Sequence, residues 1–126
     1  MQIQKNLYLL LIISLIFAAG CKRENAELKK SAREMADIMC KNIEAMNNLK
    51  AADRNDTATI TLLQEKVRKI QGEMTGLYQE FKKKYGDKTR DMEFSKEFSL
   101  LLSKSMLDCP HLSKEQREQF MKEPED

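Results

Sequence analysis

Three cysteines and one histidine carry most of the reactive potential of this chain: Cys21, Cys40, Cys109 and His111. A thiol can be acylated, oxidised to a disulfide, used as a metal ligand or activated as a nucleophile, and its neighbours and compartment decide among these. Cys21 stands directly after Ala18-Ala19-Gly20, at the end of an apolar run, whereas Cys40 and Cys109 lie within the charged, amphipathic remainder of the chain. The two kinds of setting call for two kinds of chemistry.

Met1 to Asn6 is polar with one cation, Lys5, and leads into the apolar Leu7–Phe17 before the small residues and Cys21. A basic start, an apolar centre and a small-residue cluster make an export signal, and the apolar run falls short of the ~20 residues that a bilayer-spanning helix needs. Residues 1–20 are therefore expected to be a signal peptide, cleaved before Cys21. Ala19-Gly20-Cys21 resembles the lipobox of bacterial lipoproteins, in which small residues precede an acceptor cysteine. Ala18 stands where that family most often has Leu, a departure resembling the relaxed lipobox of spirochaete lipoproteins. The resemblance implies that Cys21 is the lipid-attachment residue, carrying a diacylglyceryl thioether and usually a third, amide-linked chain of the palmitate kind. Two or more acyl chains hold a protein stably on a bilayer where one holds it only reversibly.

With Cys21 assigned to lipid, Cys40 and Cys109 remain as an even pair in an oxidising compartment, and they read first as a disulfide. In a bundle whose first and third helices run parallel, the two would sit at heights of about 22 and 30 Å, a difference that a shifted helix absorbs. Cys109-Pro110-His111 resembles the first three residues of the Cys-Pro-His-Cys site of thiol oxidoreductases, but Leu112 replaces the second cysteine and no βαβ pattern surrounds it. A metal site would need Cys40, Cys109, His111 and a carboxylate to converge, without any close ligand pair of the zinc type. No Gly-rich phosphate loop or nucleophile elbow is present, and the abundant Asp and Glu are scattered over helix faces. The expectation is a protein with no catalytic residues, no cofactor and no metal.

The elements that must position these residues are all helical. Charged residues make up 33% of the 126, against 6% aromatic, with 4 Gly and 2 Pro, which suits long solvated helices and a single domain spanning 21–126. Helices are expected over about 25–49, 57–85, 90–109 and 114–122. The first carries the stripe Leu28, Ala32, Met35, Ala36, Met39, Ile43 and Met46. The second has an unbroken heptad seam of Ile60, Leu63, Val67, Ile70, Met74, Leu77 and Phe81. Asp56 or Thr57 should cap the second helix, and Lys82, Lys83 and Lys84 complement its dipole, with Gly86 placed for a left-handed C′. Thr89 should cap the third, whose stripe is Phe94, Phe98, Leu101, Leu102 and Met106, and Ser113 with Gln116 forms a capping box for the fourth. Most of the eight methionines fall on these stripes and read as core. Gly72 and Gly76 face away from the seam of the second helix, where they either mark a smooth contact surface or are simply tolerated. The expected architecture is an all-α, up-down-up three-helix bundle with a short fourth helix.

Twenty-two basic and 20 acidic residues give a formal charge of +2, and no clustered basic face of the nucleic-acid type is visible. Cys21, Cys40 and Cys109 together with chain size make the protein similar to small helical lipoproteins of spirochaetes, which implies a cell-envelope setting on the inner or outer membrane and supplies no activity or catalytic residue to carry over. The functional expectation is a non-enzymatic, lipid-anchored module that presents a surface to another envelope or extracellular protein. The alternative is a periplasmic carrier of a lipid or hydrophobic small ligand, held in a core opened around Met35, Met39, Met74 and Phe98. The seam of the second helix could close within one chain or between two, so oligomeric state is open.

Overall fold

The computed structural model describes the backbone of residues 2–122 and the side chains of residues 25–122. The leader, its cleavage and the acylation of Cys21 are expectations that lie outside the described side chains. The fold is all-helical, with α1 (Gln2–Ala51), α2 (Thr57–Tyr85), a 3₁₀ turn (Lys88–Arg90), α3 (Met92–Met106) and α4 (Lys114–Met121). Among the described residues no helix is long and apolar enough to cross a membrane.

From Lys22 to Ala51 the sequence has no Gly or Pro, so nothing interrupts α1. The chain then reverses through Asp53-Arg54-Asn55-Asp56, where the Asp56 N–H donates to the Asp53 carbonyl at 3.0 Å and the Asn55 N–H to the Asp53 carboxylate at 3.0 Å. Asp56 caps α2: one carboxylate oxygen accepts from the Thr59 N–H at 3.1 Å and the other from the Thr59 hydroxyl at 2.6 Å.

The heptad seam of α2 is what the helix buries. Val67 and Ile70 are buried, and Ile60, Leu63, Met74, Leu77 and Phe81 are half-buried, while every other position from Thr57 to Lys84 is exposed. The seam closes within the chain: Val67 and Ile70 pack with Ile38 and Ala45 of α1, flanked by Met46, Met74 and Leu77. The later α2 residue Lys84 meets the earlier α1 residue Glu27 at 3.4 Å, so α2 runs antiparallel to α1. α3 returns alongside α1 and reaches α2 through an aromatic cluster: Phe81 lies 4.4 Å from Phe98 and Tyr85 lies 5.4 Å from Phe94, ring centre to ring centre. Such tilted pairs contribute about 0.5–1.5 kcal/mol each beyond their buried area.

Four local expectations are corrected. The single stripe assigned to α1 misses Ile38 and Ala45, both buried. α1 is packed by α2 and by α3, and a helix held between two neighbours needs two apolar faces. Gly86 is right-handed, at φ −46° and ψ −47°. Its lack of a side chain serves close approach, since a Cβ there would stand 2.7 Å from the Lys82 carbonyl oxygen. Because the chain continues right-handed past Gly86, Thr89 falls within the 3₁₀ turn, where its hydroxyl donates to the Gly86 carbonyl at 2.7 Å. Asp91, in extended conformation, caps α3 instead and accepts from the Glu93 N–H at 3.0 Å. Lastly, α3 ends at Met106, and Cys109 sits in a tightened turn in which its N–H donates to the Met106 carbonyl at 3.0 Å. The fourth helix is capped as expected, with Ser113 and Gln116 bonded reciprocally at 2.9 and 3.1 Å.

A Cβ at Gly72 or Gly76 would meet nothing within 4 Å. Gly72→Ala and Gly76→Ala should each raise the unfolding free energy by about 1 kcal/mol in urea titrations, whereas Gly86→Ala should lower it. A pH dependence follows from the α2 cap. The Thr59 hydroxyl, then the Thr59 N–H, stabilise the ionised Asp56 and lower its pKa below the ordinary 3.8. The folded state therefore binds this proton less readily than the unfolded one. The stabilisation is complete above the unfolded pKa and is lost as pH falls through the folded one. Asp56→Asn should remove that part of the acid-induced loss in urea midpoints measured from pH 5 downward.

Candidate functional site

Cys40, Glu44 and Asn47 recur at steps of four and three and so share one face of α1. Opposite them lies the turn that follows α3. Cys40 and Cys109 are joined in a disulfide with their Cα atoms 5.7 Å apart. One turn further along α1, a Glu44 carboxylate oxygen lies 3.8 Å from His111 Nε2. One turn beyond that, the Asn47 side-chain amide donates to the His111 carbonyl at 3.1 Å. Three successive turns of α1 thus grip Cys109 and His111, the two residues that flank Pro110.

The far side of the same turn is held by α4. Arg117 donates to the Leu107 carbonyl at 2.8 Å and to the Cys109 carbonyl at 3.1 Å. These oxygens lie beyond the last turn of α3, where carbonyls lack partners within the helix, and a cation there also suits the helix dipole. The capping box sets the start of α4, so Ser113 and Gln116 indirectly aim Arg117 at the disulfide turn. Sequence reasoning singled out the cysteines and the capping box but missed Arg117, Glu44 and Asn47. The i, i+4, i+7 spacing of Cys40, Glu44 and Asn47 was the available signal.

The convergence considered for a metal does occur in part, since Cys40, Cys109, His111 and the carboxylate of Glu44 are neighbours. The two sulfurs, however, are bonded to each other, which takes them out of use as ligands or as nucleophiles. Among the described residues no group of three His, Cys, Asp or Glu is disposed to hold a metal ion. The geometry of this cluster suits a brace: it pins the end of α3 to the middle of α1.

The remaining candidate surfaces are grooves and exposed apolar side chains. A cleft of about 120 Å³ between α1 and α2 is lined by Ser31, Glu34, Met35, Leu77, Glu80, Phe81 and Lys84. Met74 belongs to the packed cluster of Ile38, Ala45, Val67 and Ile70, and Phe98 stacks on Phe81, so those side chains fill the core. Leu62 and Tyr78 project from α2 at 67% and 58% exposure. Between α3 and α4, Leu100, Leu107, Phe120 and Met121 line an open groove bordered by Lys104 and Lys122. Of the eight methionines, Met35, Met39, Met46, Met74 and Met106 are buried or half-buried, while Met92 and Met121 are exposed.

The brace closes a loop of 69 residues. Removing it with Cys40→Ser and Cys109→Ser should lower stability by about 4 kcal/mol on the chain-entropy account, read as a shift of the urea midpoint. An unchanged midpoint would show that the bond contributes nothing to the folded state. Compared with known proteins, the chain matches no family model, no curated protein and no solved structure.

Proposed function

We propose that the chain is a lipid-anchored helical protein of the bacterial cell envelope, attached through Cys21, which presents a protein-interaction surface and has no enzymatic activity. One observation carries the reading: Cys40 and Cys109 are bonded to each other, which leaves Cys21 as the odd cysteine, directly behind an export-type leader. A disulfide is characteristic of chains that fold outside the reducing cytosol, so the bond and the leader point to the same compartment by independent routes. In this reading residues 1–20 are removed, residues 21–126 form one domain, and α1, α2 and α3 make an up-down-up bundle with α4 laid across its end. The envelope membrane is either the inner or the outer one, and the partner is another envelope or extracellular protein.

The distribution of apolar side chains favours an interaction module over a carrier. A pocket for a drug-sized or lipid-like ligand is usually about 300–1,000 Å³, enclosed and mostly apolar, whereas the α1–α2 cleft of about 120 Å³ has Ser31, Glu34, Glu80 and Lys84 among its walls, and the larger α1–α2 groove of about 310 Å³ is open and sets Glu34, Asp37, Lys41 and Glu73 around Ile38 and Leu77. Large apolar side chains lie instead on the outside, at Leu62, Tyr78, Leu100 and Met121.

The decisive measurement is the mass of the processed chain isolated from a bacterial envelope. The expected result is an amino terminus at Cys21 bearing a diacylglyceryl group, with Cys21→Ala left unprocessed and unlabelled by fatty acid. An amino terminus elsewhere, or an unmodified Cys21, overturns the proposal.

A further inference from the structure

The end of the bundle nearest Cys21 is assembled from three elements. The Lys84–Glu27 contact sets the last turn of α2 beside the first described turn of α1. Loss of hydration pulls the Lys84 ammonium down, but the Glu27 carboxylate and Tyr85 outweigh it and raise its pKa above the ordinary 10.5. Lys82 and Lys83 are thereby level with Lys29 and Lys30 of α1, and all four are exposed. The 3₁₀ turn that follows adds Arg90, and α3 opens on Met92, which at 75% is the most exposed large apolar side chain among the described residues.

The charge balance is particular to this end. Residues 27–30 and 82–93 together hold seven Lys or Arg against four Asp or Glu. Of those acids, Glu27 is engaged by Lys84 and Asp91 by the α3 cap. At the opposite end, residues 47–56 and 108–122 hold five of each sign. Lysines in the last turn of α2 also complement its dipole, and Lys30 lies 3.9 Å from Glu34 one turn along α1 in a solvent-exposed pair, but neither explains Lys29 or a bare methionine beside Arg90. An apolar side chain set among cations is the combination by which a protein surface enters the headgroup region of a bilayer.

Proximity completes the argument. Cys21 precedes Glu27 by six residues, which span no more than about 22 Å even fully extended. We infer that this end of the bundle rests on an anionic phospholipid surface, with Lys29, Lys30, Lys82, Lys83 and Arg90 against the headgroups and Met92 at their boundary with the acyl chains. The inference rests on the acylation of Cys21 proposed above, and it orients the bundle: the disulfide turn and α4 stand at the end away from the bilayer.

The test is amine-acetylation footprinting of the processed full chain in vesicles of phosphatidylcholine, with and without phosphatidylglycerol. In the anionic vesicles Lys29, Lys30, Lys82 and Lys83 should react about threefold more slowly, and should recover at about 0.5 M salt, where screening shortens the reach of surface charge to a few ångströms. Lys50, Lys114 and Lys122 should react alike in both vesicles. Equal reactivity of the first four lysines in both vesicles, or protection spread evenly over all seven, overturns the inference. The peptide containing Cys21, weighed in the same digest, reports the anchor separately. An acylated chain without lipid-dependent protection sinks the inference alone. An unacylated chain with that protection sinks the anchor and supports the basic surface.

Discussion

The bond between Cys40 and Cys109 is the constraint on which the arrangement of the C-terminal part depends. α3 buries little by itself. Met106 is its one fully enclosed large side chain, and Phe94, Phe98, Leu101 and Leu102 are half-buried. A helix of 15 residues with so narrow an apolar contact gains little from packing to set against the entropy of ordering it. The covalent link removes much of that entropy from the unfolded chain, and Glu44, Asn47 and Arg117 then set the direction of the turn that the link secures.

With that end held, α1 becomes the wall shared by both other long helices. Its packing rests on small residues: Ala32, Ala36 and Ala45 are at or near complete burial, so neighbouring backbones approach closely. Ala32, Ala36 and Cys40 follow one another at steps of four along the ridge that ends in the disulfide, while Ile38 and Ala45 lie on the ridge that meets Val67 and Ile70. The core this makes is thin, and no charged or polar residue is buried in it among the described residues. One buried polar atom, Asn42 Oδ1, lacks a hydrogen-bond partner there. Such a group costs about 1–3 kcal/mol, which makes the brace more consequential for the whole.

The two ends of the bundle are physically different. One joins the last turn of α2 to α1 through an ion pair, carries an excess of cations and exposes Met92. The other is neutral, covalently braced and carries the open groove of Leu100, Leu107, Phe120 and Met121. A bundle attached by a chain entering at the first end would hold the second away from the bilayer, where a protein partner can reach it.

Much of this was legible in the sequence, for a common reason. Wherever one neighbour alone determines a helix face, a local period reports it: all seven α2 seam positions are buried or half-buried and the remaining positions up to Lys84 are exposed. Caps are also local, so spacing narrowed the α2 cap to Asp56 or Thr57 and identified the Ser113–Gln116 pair, and once the lipobox resemblance had set Cys21 aside, Cys40 and Cys109 were the two cysteines left to pair. Tertiary structure alone decided what depends on residues far apart in the chain. The second apolar face of α1 exists because α2 and α3 flank it from opposite sides, and Ile38 and Ala45 are interrupted by polar positions that hide their period. The right-handed Gly86 moved the α3 cap from Thr89 to Asp91. Arg117 reaches the carbonyls beyond α3 because the chain reverses between Cys109 and Ser113 and lays α4 against the end of α3. A hydrogen bond or ion pair between distant segments leaves no spacing rule in the sequence, since its geometry is set by the packing of everything between them.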